Sequence, residues 1–138
     1  MSKKYDTKEI QYQFMYDNIK EKGRITLPCR PTVMLRKDPK TLLFTMARHK
    51  TVSKMLKGYK SVLEVGCGDG FASRLIQTEI ESLYSIDYDP FFISEAKNFV
   101  EDNWPVSFFV HDILDAPFTP KKEKFDAAFS LDVLEHIE

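Results

Sequence analysis

Three glycines occupy alternate positions in the stretch VLEVGCGDG, Val62 to Gly70. Gly66, Gly68 and Gly70 directly follow an apolar run, and a carboxylate, Glu64, lies inside that run. Glycine lets the backbone turn sharply and approach a ligand closely, because it has no Cβ. Such a turn before a helix also presents free N–H groups that can bind an anion. The pattern therefore indicates a ligand-binding turn, with a turn that serves packing alone as the alternative.

Three carboxylates lie near the ends of successive apolar runs. Glu64 lies in the first run, Asp87 ends the second and Asp112 follows the third. A buried carboxylate is costly unless backbone amides or a cationic ligand group accompany it. Asp87 lies 21 residues after Gly66, a distance typical of an acid that accepts from ribose hydroxyls. Each carboxylate also has an alternative role without a ligand. Glu64 could cap loop amides, Asp87 could cap a helix, and Asp112 could be an ordinary loop residue.

The glycine spacing and the crowding of acids indicate which nucleoside ligand would fit. Dinucleotide sites more often carry a G-x-G-x-x-G turn that binds a pyrophosphate, whereas this turn reads G-x-G-x-G. A pyrophosphate is poorly served by acidic surroundings, because like charges repel. A ligand with an amine, a sulfonium and a ribose would be well served, and S-adenosylmethionine has all three.

Strand-like and helix-like patterns alternate from residue 59 onward, which predicts a parallel sheet covered on both faces. Parallel strands end at the same edge, so the three carboxylates are expected to line one edge of one sheet. Asp89 is placed to cap a helix, and Pro90 suits the first helical position. The predicted strands are residues 60–65, 82–87, 105–110 and 125–130.

Residues 1–58 read instead as helical and irregular, with a proline-punctuated stretch in the middle. Gly58 suits the end of the last of these helices. We therefore predict a helical N-terminal extension over residues 1–58 and a strand–helix domain over residues 59–138. The residues expected on buried helix faces are Ile10 and Phe14, then Leu42, Met46, His49 or Val52, and Leu56, then Phe71 and Leu75, then Phe92, Ala96 and Phe99.

The bulk composition bounds the class of protein. A chain of 138 residues with 43% hydrophobic residues is long and apolar enough for one domain with a sizeable core. No apolar run approaches the roughly 18 residues of a membrane helix, and the first residues lack the apolar segment of a signal peptide. Cys29 and Cys67 have no partner motif, so reduced thiols in a cytoplasmic protein are expected. The histidines and cysteines are scattered, so no metal site is predicted.

The charges are distributed unevenly between the two halves. Residues 1–60 hold 15 Lys and Arg against 5 Asp and Glu, whereas residues 61–138 hold 5 against 16. A basic first half could meet an anionic substrate, a phosphate or nucleic acid. Docking of the basic segment onto the acidic half of the same chain is the favoured reading, because no dense basic patch with interleaved aromatics occurs.

Residues 61–138 resemble the first half of a class I S-adenosylmethionine-dependent methyltransferase. VLEVGCGDG resembles the first motif of that family, SIDYDP the second, HDILDAPF the third and FDAAFSLDVLEHIE the fourth. The run LDVLEHI is most similar to small-molecule methyltransferases of the ubiquinone-biosynthesis type. The fold that the resemblance implies is α/β, a Rossmann-like doubly wound parallel sheet. We expect about four strands of it here, after the helical extension, which often forms a lid over the cofactor in such families.

The resemblance also implies roles for individual residues in binding S-adenosylmethionine. The glycine turn and Glu64 would face the methionine part, and residues after the fourth strand would line the same side. Asp87 would bind the ribose, and Asp112 would bind the adenine amine. The complete set of implied cofactor-binding residues is Glu64, Gly66, Cys67, Gly68, Asp87, Tyr88, Asp112, Ile113 and Leu131.

In methyl transfer the protein mainly positions the acceptor, because the cofactor carries the reactive group. A base is needed only where the acceptor must lose a proton. His136 is the candidate base, with a histidine packed at the start of a helix as the alternative. His49 and His111 are weaker candidates.

The family's sheet has seven strands, so the chain is expected to represent an incomplete fold. A fragment, a truncated gene product, an oligomer and a partner chain that completes the sheet are the alternatives, and we expect poor turnover from this chain alone. The expected acceptor is a small molecule, with an anionic one as an option. The other hypotheses are a non-catalytic cofactor-binding or partner subunit, a nicotinamide-dependent dehydrogenase and, less favoured, a nucleic-acid methyltransferase.

Overall fold

The computed structural model describes residues 7–120 and 124–137. A short 3₁₀ helix, Ile10–Tyr12, precedes helix α1, and a second, Leu134–His136, follows the last strand. The helices are α1 (Gln13–Lys22), α2 (Cys29–Lys37), α3 (Pro39–Met55), α4 (Ser73–Gln77) and α5 (Pro90–Asn98), and the strands are β1 (Ser61–Val65), β2 (Ser82–Asp87), β3 (Ser107–Val110) and β4 (Ala127–Ser130). The four predicted strands are confirmed, each to within two residues at either end.

The strands form one parallel sheet in the order β3-β2-β1-β4. Glu64 pairs with Ser85 of β2 on one side and with Phe129 of β4 on the other. The chain therefore runs outward from β1 to β3 and then returns to place β4 on the opposite side of β1. In such sheets the crevice outside the carboxyl ends of the strands, at the reversal, is where ligands bind. The predicted α/β, Rossmann-like parallel sheet is confirmed.

One face of the sheet carries the main hydrophobic core. Val62, Leu83 and Phe108 are buried on this face, and α3, α4 and α5 pack over it. Leu56, at the end of α3, and Ile76, in α4, complete the same cluster. Burial of such side chains stabilises the fold by roughly 1.5–3 kcal/mol each.

The opposite face differs from the prediction that both faces are covered. Tyr84 and Phe109 stack with ring centroids 6.3 Å apart, and Phe118 and Phe125, from the segment between β3 and β4, lie against them. The described part of that segment forms no helix. Pro117 and its neighbours explain this, because proline lacks the N–H that a helix interior needs. An aromatic cluster therefore lies where a helix was expected.

The buried face of α3 is partly polar. Met46, predicted to be buried, is 37% exposed, whereas Thr45 and Ser53 are buried. Their hydroxyls donate to backbone carbonyls one turn earlier, Thr45 to Thr41 at 3.0 Å and Ser53 to Lys50 at 2.8 Å. These hydrogen bonds offset the cost of burying a hydroxyl group. Polar residues can therefore lie on the buried face of α3, and the face predicted from the apolar residues alone differs from the buried one.

Three other helix faces also shift from the prediction. In α4 the fully buried apolar residue is Ile76, with Leu75 only half-buried. In α5 Ala96 is buried as predicted, but its buried partner is Ile93. Helix α1 forms as predicted, yet Phe14 is 69% exposed, because within the described residues α1 packs mainly on the short 3₁₀ helix before it.

The helix starts follow the sequence signals. Asp89 accepts from the N–H of Phe91 at 2.8 Å with Pro90 at the first helical position, which confirms the predicted cap. Asp38 caps α3 in the same way, accepting from the N–H of Lys40 at 3.1 Å. Both are the short acidic side chains that helix N-termini favour.

Candidate functional site

A cleft of about 390 Å³ lies outside the carboxyl ends of β1, β2 and β3. Its volume falls in the range of roughly 300–1,000 Å³ that is usual for small-molecule sites. Residues from the glycine turn, the ends of β2 and β3 and the segment after β4 line it. The predicted residues that line it are Gly66, Gly68, Asp87, Tyr88, Asp112, Ile113, Leu131 and His136.

The glycine turn forms the floor of the cleft. The N–H groups of Gly66 and Cys67 both donate to the carbonyl of Ile86, at 2.8 and 3.0 Å, which fixes the turn to β2. Gly66 and Gly68 have φ angles of 78° and 56°, a region that favours glycine. A Cβ on Gly68 would lie 2.5 Å from Nη1 of Arg30, so the absent side chain is what admits the guanidinium.

Asp87 holds the turn through both carboxylate oxygens. Oδ2 accepts from the N–H of Gly68 at 2.8 Å, and Oδ1 accepts from the N–H of Asp89 at 3.0 Å. The residue is 8% exposed. A carboxylate offers about four acceptor sites, so Asp87 retains acceptor capacity toward the cleft that it lines. It therefore braces the backbone and can accept from a ligand hydroxyl at the same time.

The residues at the ends of β2 and β3 form the far wall. Tyr88 is 72% exposed, and Ile113 is half-buried. Oδ1 of Asp112 accepts from the N–H of Leu114 at 2.9 Å, which leaves Oδ2 without a hydrogen bond from any residue between 7–120 and 124–137. This wall presents a ring, an aliphatic side chain and a free carboxylate oxygen together.

Glu64 points away from this cleft, onto the face of the sheet that α3 covers. It is 3% exposed and lines a smaller cavity of about 20 Å³ next to the glycine turn. Its Oε2 accepts from Ser85 Oγ at 2.6 Å, and its Oε1 lies 3.9 Å from His49 Nε2. Nδ1 of His49 faces the carbonyl of Thr45 at 2.8 Å and must donate to it, so a neutral His49 presents a lone pair to Glu64.

The environment of Glu64 favours its protonated form. Burial raises the pKa of Glu64, against smaller opposing effects of the hydroxyl hydrogen bonds and of His49 and Arg30. When the pKa of a carboxyl group is higher in the folded than in the unfolded state, the protein loses stability as the pH rises above the group's usual pKa of 4.5.

We expect Glu64→Gln to be more stable than the wild type at pH 8, because the amide removes a buried charge and can still accept from Ser85. The difference in free energy of unfolding should narrow as pH falls toward about 4.5. Urea unfolding at several pH values measures it. Glu79→Gln is the control of opposite sign, because the hydrogen bond from Lys54 lowers the pKa of Glu79. The interpretation would be contradicted if the wild type became more stable relative to Glu64→Gln as the pH rises.

The side chain of Cys67 belongs to the hydrophobic core, and only its backbone contributes to the turn. Burial, with Glu64 and Asp87 nearby, raises the pKa of Cys67 far above its usual value, so the thiol stays neutral. Cys67 and Cys29 are both free. A thiolate nucleophile at Cys67 is therefore not part of the site.

Two residues of the site have no counterpart among the predicted ones. Asp69, 2% exposed, accepts from the backbone N–H of Arg30 at 2.6 Å and ties the glycine turn to the start of α2. The Arg30 side chain then lines both the cleft and the small cavity. Asp69 lies inside the motif and could have been singled out as an acid in a turn. Arg30 is 38 residues away from Gly68, and no local pattern marks it.

The segment after β4 closes the near wall. Leu131 lines both the cleft and the small cavity. Asp132 has a φ of 56° and accepts from Arg48 of α3 at 2.6 Å. His136, in the final 3₁₀ helix, is exposed and lines the cleft. The predicted base is therefore at the site rather than packed in the core.

The three carboxylates at the strand ends thus share one edge of the sheet but two cavities. Asp87 and Asp112 line the cleft, and Glu64 lines the adjoining small cavity. In residues 7–120 and 124–137 no group of three or more potential ligand side chains is arranged for a metal ion. Over the same ranges, no helix has both the length and the apolar character needed to cross a bilayer.

Comparisons with known proteins identify the family and the fold. Residues 62–138 match the family described as "Methyltransferase domain". The solved methyltransferase domain of bacterial CtHen1-C is 24% identical, with a TM-score of 0.55 over 67% of this chain and 52% of that one. N-methyltransferase NodS from Bradyrhizobium japonicum is 22% identical, with a TM-score of 0.51 over 66% and 49%.

A third solved structure, the plantazolicin methyltransferase BpumL in complex with SAH, is 22% identical. Its TM-score is 0.50, over 70% of this chain and 37% of that one. No curated protein sequence gives a significant match. At these identities the structures show a shared fold, and this chain spans about half or less of each of the three.

Proposed function

The chain belongs to the class I S-adenosylmethionine-dependent methyltransferases, whose methyltransferase domain it matches over residues 62–138, and from this we propose that it transfers a methyl group from S-adenosylmethionine to a small-molecule acceptor. The observation that carries the proposal is the cleft at the carboxyl ends of the strands. There a glycine turn, Asp87 and Asp112 face one space of suitable volume.

The residues present fit the parts of the cofactor. The glycine turn brings the backbone of Gly66 and Gly68 to the wall of the cleft with no Cβ in the way, and we assign the methionine part to this end, with Glu64, Cys67 and Leu131 around it. Asp87, with acceptor capacity left, is assigned to the ribose hydroxyls. We assign the adenine ring to the far wall between Tyr88 and Ile113, with its amine at Asp112.

The cofactor, when bound, supplies a methyl group on a sulfonium, and an acceptor lone pair displaces the sulfur in line. What the chain contributes is orientation. Asp87 holds the backbone of Gly68 at 2.8 Å, so the turn that underlies the methionine part is fixed before the ligand arrives. Such preorganisation reduces the entropic cost of bringing two reactants together.

His136 is the residue that we assign to proton removal where the acceptor must lose a proton. Its imidazole lines the cleft and is exposed, so its Nδ1 or Nε2 can reach a bound molecule. A ring nitrogen of a neutral imidazole carries a lone pair that can accept a proton, as a general base requires. An acceptor that already carries a free lone pair needs no such step.

We propose that residues 1–58 act as an extension over the domain formed by residues 59–138 and help to select the acceptor. Of these, residues 1–6 lie outside the described ranges. The support is that α3 covers the small cavity through Thr45 and His49. The excess of basic residues in this segment is compatible with an anionic small molecule.

The edge of the sheet at β4 is the second site of interaction that we propose. Within the described residues β4 pairs only with β1, so its other side offers free backbone groups. Free strand edges pair readily with further strands. We propose that an additional strand, from an oligomer or a partner chain, pairs there, and that turnover by residues 1–138 alone is poor.

Binding of S-adenosylhomocysteine tests the proposal. We expect isothermal titration calorimetry to show binding of S-adenosylhomocysteine at least about 10-fold tighter than that of NAD⁺, since the acidic cleft disfavours a pyrophosphate. Adenosine serves as the control for recognition of the nucleoside part alone. Tighter binding of NAD⁺ than of S-adenosylhomocysteine would favour a nicotinamide-dependent enzyme and overturn the proposal.

A further inference from the structure

The outer face of α3 consists of Lys40, Leu43, Phe44 and Lys50, and it combines basic with apolar side chains. The side of the helix that carries His49 is buried, so the opposite side faces away from the sheet. Leu43 and Phe44 are 65% and 60% exposed there. Lys40 lies one turn before them and Lys50 two turns after Leu43, and both lysines are exposed. Two large apolar side chains therefore lie in water between two cations.

The region around this face is strongly basic. Residues 29–60 contain nine Lys and Arg and a single acid, Asp38. The carboxylate of Asp38 already accepts from the N–H of Lys40 at 3.1 Å as the cap of α3. Arg36 and Lys37 are exposed at the end of α2, which packs against α3. Such an excess of positive charge attracts an anionic surface.

Two of the nine basic residues pair with the acidic half of the chain. Arg48 donates to Asp132, and Lys54 donates to Glu79. Within residues 7–120 and 124–137 the other seven form no ion pair. The charges of the outer face at positions 40 and 50 are therefore available to a partner outside the chain.

The mixture of charge and apolar area selects among the partners that could cover this face. A second copy of the chain would bring like charges together, and these repel. A nucleic acid would engage the lysines through its phosphates, but it offers little apolar surface to Leu43. An anionic lipid surface satisfies both requirements. Its head groups attract Lys40 and Lys50, while Leu43 and Phe44 can enter the boundary between head groups and acyl chains.

We propose that the outer face of α3 binds the surface of a membrane that contains anionic phospholipids. The contact is peripheral, because the other side of α3 stays packed against α2 and α4. None of the four side chains lines the cleft or the small cavity. The inference therefore goes beyond methyl transfer and does not depend on it.

Sedimentation of the 138-residue chain with lipid vesicles tests the proposal. We expect vesicles of phosphatidylglycerol and phosphatidylcholine in equal parts to bind at least about 10-fold tighter than phosphatidylcholine alone, since each lysine near an anionic surface adds attraction. Raising the NaCl concentration from about 0.1 M to about 0.5 M should abolish most of this difference, because salt screens the charges. Equal binding to the two kinds of vesicle, or binding to neither, would overturn the inference.

Two double variants separate the charges from the apolar side chains. Lys40→Gln with Lys50→Gln should weaken binding to the anionic vesicles by about 10- to 30-fold. Leu43→Gln with Phe44→Gln leaves the charge unchanged and should weaken it by at least about 10-fold, because two apolar side chains no longer leave water. Wild-type binding by the second variant would show attraction of any anion without insertion into lipid, and the inference would fail.

Phe91→Gln with Lys97→Gln is the matched control. Both residues are exposed on α5, which packs mainly over β2 and β3. This variant should bind the vesicles like the wild type, and all three should keep the wild-type circular dichroism spectrum. An equal loss in the control would contradict the assignment to α3. Tighter binding of a single-stranded RNA than of the anionic vesicles, or a dimer that Phe44→Gln dissociates in sedimentation equilibrium, would assign the face to another partner and overturn the inference.

Discussion

Asp87→Ala is expected to weaken the binding of S-adenosylhomocysteine by about 100-fold or more. The substitution removes the acceptors for two possible ribose hydrogen bonds, each worth about 1.5–3 kcal/mol where a charged group is involved. It also frees the N–H of Gly68, which Asp87 holds at 2.8 Å, so the turn loses its brace. Calorimetric titration of the variant and the wild type measures the change.

Asp89→Ala provides the comparison for this experiment. Asp89 caps α5 through the N–H of Phe91 at 2.8 Å and does not line the cleft. Its loss should lower the free energy of unfolding by about 1 kcal/mol, as for other N-caps, and change the affinity by less than about 2-fold. If Asp89→Ala weakened binding as much as Asp87→Ala, the effect would be one of stability, and Asp87 would not contact the ligand.

Gly70→Ala is expected to lower the free energy of unfolding by about 2–5 kcal/mol. Gly70 has a φ of 68°, which costs an alanine roughly 1–2 kcal/mol. The new Cβ would also lie 2.5 Å from a ring carbon of Phe108 and 2.8 Å from the Cβ of Ala96. Overpacking of a core costs roughly a further 1–3 kcal/mol. Urea denaturation followed by circular dichroism gives the value.

Gly58→Ala separates the two contributions. Gly58 has a φ of 84°, but no atom lies within 4 Å of where its Cβ would be. We therefore expect only the backbone cost of roughly 1–2 kcal/mol. Equal losses in Gly58→Ala and Gly70→Ala would show that Phe108 and Ala96 move aside freely, contrary to the packing described.

The strands and the ends of the helices could be predicted because local signals fix them. Short apolar runs give β1 to β4, and Asp89 with Pro90 gives the start of α5. The position of Asp87 and Asp112 also follows from the sequence, because a residue at the end of a parallel strand must lie at the carboxyl edge of the sheet. These inferences need no knowledge of contacts distant in sequence.

The remaining features depend on such distant contacts. His49 is buried on the face of α3 that meets Glu64 of β1, 3.9 Å away, and helical spacing alone left it interchangeable with Val52. Arg30 reaches the glycine turn only because Asp69 accepts from its backbone. The aromatic cluster on the second face of the sheet forms because Phe125 packs on Tyr84 and Phe118 on Phe109. None of these is encoded in a local pattern.

The two carboxylates that hold the start of α2 have a consequence for how the chain can vary in length. Glu95 accepts from the N–H of Cys29 at 3.1 Å, and Asp69 from the next N–H along. Insertions before Pro28 would only lengthen an external connection. An insertion or deletion between Arg30 and His49 would displace one of these two side chains, which lie on either side of Glu64. Homologous chains should therefore differ in length upstream of Pro28 and keep that later interval constant.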